Sequence, residues 1–312
     1  MWLALAFVSA ALLGLYDTSK KSALKDNAVL PVLFFNTLFA SLIFSPFIID
    51  SAAGTGWFAG GAFDSAPYAG HPETSGTGEG TLFHAHLLVI IKSFIVLASW
   101  IFGYFGIKHL PITIVGPINA TRPVLVLIGA MLIFGERLNA YQWTGVILSM
   151  ISLYMLSISS KKEQVDFVHN KWIWFVAIAA VIGAVSGLYD KYIMRELSPM
   201  FVQSWYNLYQ MFIMAAVCAI IWYPNRKNTT RFHWSWAIPL ISIFISAADF
   251  AYFTALNQPD SMISVVSLIR RGSVLVSFAC GVILFRERNL KAKALDLALI
   301  LIGMVFIYFG SR

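Results

Sequence analysis

The 312-residue chain is predicted to be an all-α membrane protein, with ten transmembrane helices arranged as two inverted five-helix repeats. Three observations lead there. The chain is 59% hydrophobic and 12% charged, with a mean hydropathy of +0.75, against roughly 45–50% apolar and 25% charged in soluble domains. Its apolar residues gather into runs near 2–20, 29–49, 86–107, 112–135, 139–159, 172–191, 199–223, 234–256, 262–285 and 291–310, most close to the ~20 residues that cross a bilayer as a helix. Its landmarks also recur. Gly14-Leu15-Tyr16-Asp17 returns as Gly187-Leu188-Tyr189-Asp190, Phe102-Gly103-Tyr104-Phe105 as Phe250-Ala251-Tyr252-Phe253, and Phe134-Gly135-Glu136-Arg137 as Phe285-Arg286-Glu287-Arg288.

The first run has no basic segment before it, and its ending recurs in the second half, so it reads as a retained helix rather than a signal peptide. β-Barrel strands are excluded, since the runs do not alternate and are too long. The repeats are residues 1–160 and 161–312, and an odd helix count turns the second copy over in the membrane. The repeat offset is 173 residues from Asp17 to Asp190 but 148 from Tyr104 to Tyr252. The surplus in the first half falls in loop 51–83, rich in Gly and small polar residues and read as a long flexible loop. Helix 4 carries Pro117 and Pro123 around Arg122 and should be kinked or broken there. Glu136 and Glu287 open helices 5 and 10, where a carboxylate favours the helix N-terminus. Asp17 and Asp190, beside Lys21 and Lys191, read as salt-bridged anchors at helix ends near the membrane surface.

The formal charge of +7 does not indicate nucleic acid, because Lys and Arg lie mainly in short gaps between apolar runs. Equivalent loops of inverted repeats lie on opposite sides, and all four loop comparisons place more basic residues on the same side. Loop 7–8, for instance, has Arg226, Lys227 and Arg231, whereas loop 2–3 has no basic residue. By the positive-inside rule that side is cytoplasmic, which puts both termini outside, in a bacterial plasma (inner) membrane. Cys218 and Cys280 sit within apolar runs and form neither a disulfide framework nor a zinc site. His71, Glu73, Glu79, His84 and His86 lie close in sequence, but nothing completes four ligands, so no metal is expected. No catalytic motif or cofactor-binding signature is present, so the chain is not expected to be an enzyme or to carry a cofactor.

Four basic residues fall inside the spans: Lys92, Arg122, Arg270 and Arg271. A charge at bilayer depth costs about 2.5–3.5 kcal/mol on insertion scales, so it faces a partner or a cavity. Arg122 lies nine residues past Thr113 and Arg270 nine past Ser261, equivalent places in the two repeats and close to mid-helix. Paired guanidinium groups in interrupted helices suggest a site for an anion or carboxylate. The competing reading is an internal salt bridge to Asp249, Asp17 or Asp190. Asn36, Tyr206, Asn207, Gln210 and Asp249 complete the candidate set, and Asn207 and Gln210 share a helix face. Helix–helix hydrogen bonding is their alternative role.

Pro123, Gly129, Phe134-Gly135-Glu136-Arg137-Leu138 and Trp143-Thr144-Gly145 resemble the EamA-type transporters of the drug/metabolite transporter superfamily. The second copy departs from the pattern where Arg286 replaces the motif glycine. The resemblance implies a ten-helix secondary carrier of small polar metabolites such as amino acids or organic and phosphorylated anions. It also implies cytoplasmic termini, opposite to the charge reading. The partners expected are a small-molecule metabolite, the lipid bilayer and a coupling ion (a proton or counter-substrate), with the chain a monomer or homodimer. A flippase for a lipid-linked sugar and a non-transporting membrane scaffold are the alternatives.

Overall fold

A computed structural model describes residues 1–24, 27–61, 63–69, 82–109, 118, 121–158, 170–227, 230–273, 275–276, 279–280 and 290–310. The motif Phe285–Arg288, Lys161, Lys162, and His71, Glu73 and Glu79 lie outside these residues. The regular elements among the described residues are all helical: α1 (Trp2–Leu24), α2 (Val29–Ala53), α3 (Leu82–His109), α4 (Arg122–Phe134), α5 (Ala140–Ile158), α6 (Lys171–Ile193), α7 (Pro199–Val217), α8 (Ala237–Leu256), α9 (Ile263–Arg271) and α10 (Leu290–Gly310). A π-helical turn at Cys218–Trp222 prolongs α7 to Asn225. Among the described residues, six helices are long and apolar enough to cross a membrane: α1, α2, α3, the extended α7, α6 and α8. Large apolar side chains such as Leu132 (81% exposed) and Ile220 (73%) point away from the protein. Such exposure suits hydrocarbon and would be a liability in water.

The chain forms two compact units. One comprises residues 2–93 and 192–258, the other 94–191 and 259–312 with Met1. Each therefore draws helices from both halves of the sequence, and α3 contributes to both.

In the unit of residues 2–93 and 192–258, α1 lies along α8, and α2 packs on α7 and α8. The Ser9 hydroxyl donates to the Ala248 carbonyl at 2.7 Å, and Ser242 donates to the Asn36 carbonyl at 3.0 Å. Such bonds hold helices together where lipid supplies no hydrophobic drive. One end is tied by Asn27, whose side chain donates to the His233 carbonyl (2.6 Å) and accepts from the His233 N–H (2.9 Å). At the other end α2 runs on to Ala53 and stops at Gly54, whose φ of 63° is left-handed and suits glycine. There the expected loop 51–83 is not flexible throughout. Within 54–69, Asp50 accepts from the Thr55 and Ser65 hydroxyls (both 2.5 Å) and from the Trp57 N–H (2.7 Å). Ser198, the N-cap of α7, donates to the Ala66 carbonyl at 2.8 Å, and its own N–H reaches Pro67. The sequence pattern concealed this because small polar residues read alike in a free loop and in a tight cap.

In the other unit α4 packs on α9 and α5 on α10. Gly145 and Gly303 allow close backbone approach: a Cβ on Gly145 would lie 2.5 Å from the Gly303 carbonyl oxygen. Two expectations are corrected here. Glu136 does not serve the helix that follows it; its carboxylate accepts from the N–H groups of Ile263 (2.7 Å) and Ser264 (3.2 Å) and from the Ser264 hydroxyl, capping α9. Gly135, left-handed at φ 67°, ends α4 and turns the chain ahead of Glu136. Asp190 and Lys191 lie near the end of α6, as expected, but are not exposed at the protein surface. Both are buried, and the Lys191 ammonium donates to Ser261 at 2.5 Å.

Candidate functional site

The sequence-predicted residues fall in both units. Lys92 lies near the middle of the Leu82–Gly103 span, on the buried face of α3, and is 2% exposed. Its ammonium sits 4.5 Å from the centre of the Tyr206 ring on α7 and 4.8 Å from that of Phe253 on α8. Desolvated cation–π contacts of this kind are worth about 2 kcal/mol or more, so the two rings offset part of the cost of burying the charge.

Tyr206 belongs to a polar face of α7 at helical spacing: Gln203, Tyr206, Asn207 and Gln210, all buried. The Asn207 amide donates to the Gln203 carbonyl at 2.8 Å within the helix. Gln203 Oε1 and Gln210 Nε2 have no hydrogen-bond partner among the described residues, and neither has Ser246 Oγ on α8. A buried polar atom without a partner costs about 1–3 kcal/mol, and a ligand or water that supplies the bond recovers it. Asn36 faces α8, where its carbonyl and Oδ1 both accept from Ser242 at 3.0 Å. Asp249 lies on α8, half-buried.

Arg122, Arg270 and Arg271 lie in the other unit. Pro123 is tolerated only because α4 begins at Arg122, which places the arginine in a first turn rather than at mid-helix. The break expected beside Arg122 is thus present. A cation at a helix N-terminus is disfavoured by the dipole, and hydrogen bonds offset this: Nη2 donates to the Ser99 hydroxyl at 3.2 Å and the Ala179 carbonyl at 3.1 Å. The guanidinium lies against Gly183, where an added Cβ would come within 2.0 Å of Nη2. Arg270 and Arg271 occupy the last turn of α9 before Gly272, where the dipole favours cations.

His84 and His86 serve separate contacts. His84 lies 3.6 Å from Glu196, while His86 shares a 2.9 Å hydrogen bond with the Tyr209 hydroxyl and meets the Trp205 ring edge-on. No group of three metal-ligating side chains occurs among the described residues. Burial, and then the charge of Glu196, push the Tyr68 phenol up, keeping it neutral. Sequence reading overlooked Gln203, Phe253 and Ser246. Gln203 could have been found, being seven residues before Gln210 and so on the same helix face.

The model of the EamA-like transporter family matches residues 1–158 and again 170–309. No curated protein matches the chain. A solved structure described as "Crystal structure of protein" superposes with a TM-score of 0.67 at 15% sequence identity, covering 98% of this chain and 95% of that one. At such identity the likeness concerns the fold. With family matches over both halves and helices long enough to span a bilayer, the chain belongs to the EamA-like transporter family and is an integral, multi-pass membrane transporter.

Proposed function

We propose that the chain is a secondary carrier of a small polar metabolite bearing negative charge, a carboxylate or phosphorylated group. It works by alternating access between inverted five-helix repeats, residues 1–160 and 161–312, spanning the membrane ten times. The observation that carries this reading is Lys92: a buried ammonium halfway along a span, on two aromatic rings, beside a helix face with unpartnered amide atoms. An entering anion would complement that charge and supply the missing hydrogen bonds. Tyr206, Asn207, Gln210, Asn36 and Asp249, which belong to the same unit as Lys92, are assigned to substrate contact as polar groups within the spans; Arg122, Arg270 and Arg271 of the other unit are cationic candidates considered by themselves.

Packing supports the two-fold reading. Helices pair with their counterparts from the other half: α2 with α7, α4 with α9, and α5 with α10. The Ser9–Ala248 bond has an analogue in Ser99, which donates to the Ala179 carbonyl at 2.9 Å. Each joins the first helix of one half to the third of the other. A bacterial plasma membrane with outward termini is proposed from the loop charges, and coupling to a proton or counter-substrate from the transport class.

Ligand-induced thermal stabilisation of the purified protein across charged, zwitterionic and neutral metabolites tests the substrate class. Anions should raise the melting temperature of the wild type, because a ligand binding only the folded state stabilises it. In Lys92→Gln the binding should weaken by about tenfold or more, equivalent to about 1.4 kcal/mol. Equal stabilisation by cations, or an unchanged response in Lys92→Gln, would remove the anionic reading.

A further inference from the structure

We infer that the end of the 2–93/192–258 unit where α7 leaves off and α8 begins is a binding site for the phosphate headgroup of an anionic phospholipid. Arg226, Lys227 and Arg231 are all exposed there, and no carboxylate pairs with any of them among the described residues. The Arg226 guanidinium carbon lies 4.0 Å from the centre of the Tyr223 ring. A guanidinium held over a ring can still offer N–H groups in the two-pronged geometry that phosphate oxygens accept.

Aromatic side chains follow these cations closely in the chain. Trp236 is 80% exposed and meets Trp234 edge-on at 6.2 Å, and Trp234 in turn packs on Phe35 at 5.8 Å. Tryptophan with an apolar body and a polar N–H favours the headgroup level of a bilayer. The segment carrying these rings is held in place, since Asn27 bonds both backbone groups of His233 and Phe35 stacks on Phe232 at 5.2 Å. Below Tyr223, the π-helical turn leaves Ile220 and Ile221 outward, an apolar surface for the acyl chains. The opposite end of the same unit carries the carboxylates of Asp50, Asp64 and Glu196. Free cations, interfacial rings and apolar surface on one end of the unit match the parts of a lipid in order. A soluble anion has no use for the last two.

The full chain, purified in a neutral detergent, is titrated separately with phosphatidylglycerol, phosphatidylcholine and inorganic phosphate while its melting temperature is followed. Phosphatidylglycerol alone should raise it, and added sodium chloride should shrink the shift. The R226Q/K227Q/R231Q variant should lose at least half of that shift and retain less phosphatidylglycerol in native mass spectrometry, with its melting temperature in phosphatidylcholine unchanged. Arg231→Gln alone should give a smaller loss of the same kind, which keeps the test open should the triple variant fail to fold. Equal phosphatidylglycerol shifts in wild type and variants would overturn the site. So would equal losses in both lipids, or stabilisation by inorganic phosphate alone.

Discussion

Arg122 is held by its own chain through Nη2, bonded to Ser99 and Ala179 in a space that Gly183 leaves open, while its Nε has no hydrogen-bond partner among the described residues. Lys92 has rings around it and unpartnered amide atoms on the adjacent helix face. The two cations look alike in sequence, as charges within apolar runs, and only the side-chain surroundings separate them. A methyl at Gly183 must displace the guanidinium, losing hydrogen bonds to a charged group worth about 1.5–3 kcal/mol. Gly183→Ala should therefore lower thermal stability in the wild type but have little effect in an Arg122→Ala background. A double-mutant cycle read by thermal unfolding gives the coupling, and additive losses would show that Gly183 does not accommodate Arg122. Lys92, Tyr206 and Gln210 were legible in the sequence as polar groups at bilayer depth. Phe253 was not, because nothing distinguishes a ring beneath an ammonium from any other phenylalanine in an apolar run.

Helix positions were readable because hydrocarbon thickness fixes a length that apolar composition displays. What lies at helix ends was less so, since it depends on contacts far apart in the chain. Glu136 illustrates this: a glutamate four residues before α5 suggests a cap on α5, yet it binds the start of α9, which lies 127 residues on. Glu136→Gln keeps an acceptor but removes the charge that favours the α9 N-terminus, so a loss of about 0.5–2 kcal/mol is expected from the capping and dipole terms. Stability unchanged in thermal unfolding would mean that α9 needs no such cap. Gly145→Ala should be costlier than Gly183→Ala. Its methyl meets the Gly303 backbone oxygen rather than the movable tip of a side chain, so α5 and α10 must separate. Comparing the two melting temperatures checks that order.

At the scale of the molecule, the internal repeat announced a duplicated chain, but compact units drawn from both halves were not visible in it. Contiguity in sequence carries no information on which helices exchange partners. Loop charges give an orientation that a fusion reporter can read: one active only in the cytoplasm should be silent after Arg312 and active near Lys161. The opposite pattern would place the termini inside. The central claim, that a buried ammonium receives an anionic substrate, is tested most directly by flux into vesicles containing only this protein. Wild-type vesicles should accumulate the anion that stabilises the purified protein. Lys92→Gln vesicles, with protein of normal fold and amount, should show at least about tenfold less uptake at subsaturating substrate, the change that 1.4 kcal/mol of lost interaction produces. Undiminished uptake by folded Lys92→Gln protein would contradict the account.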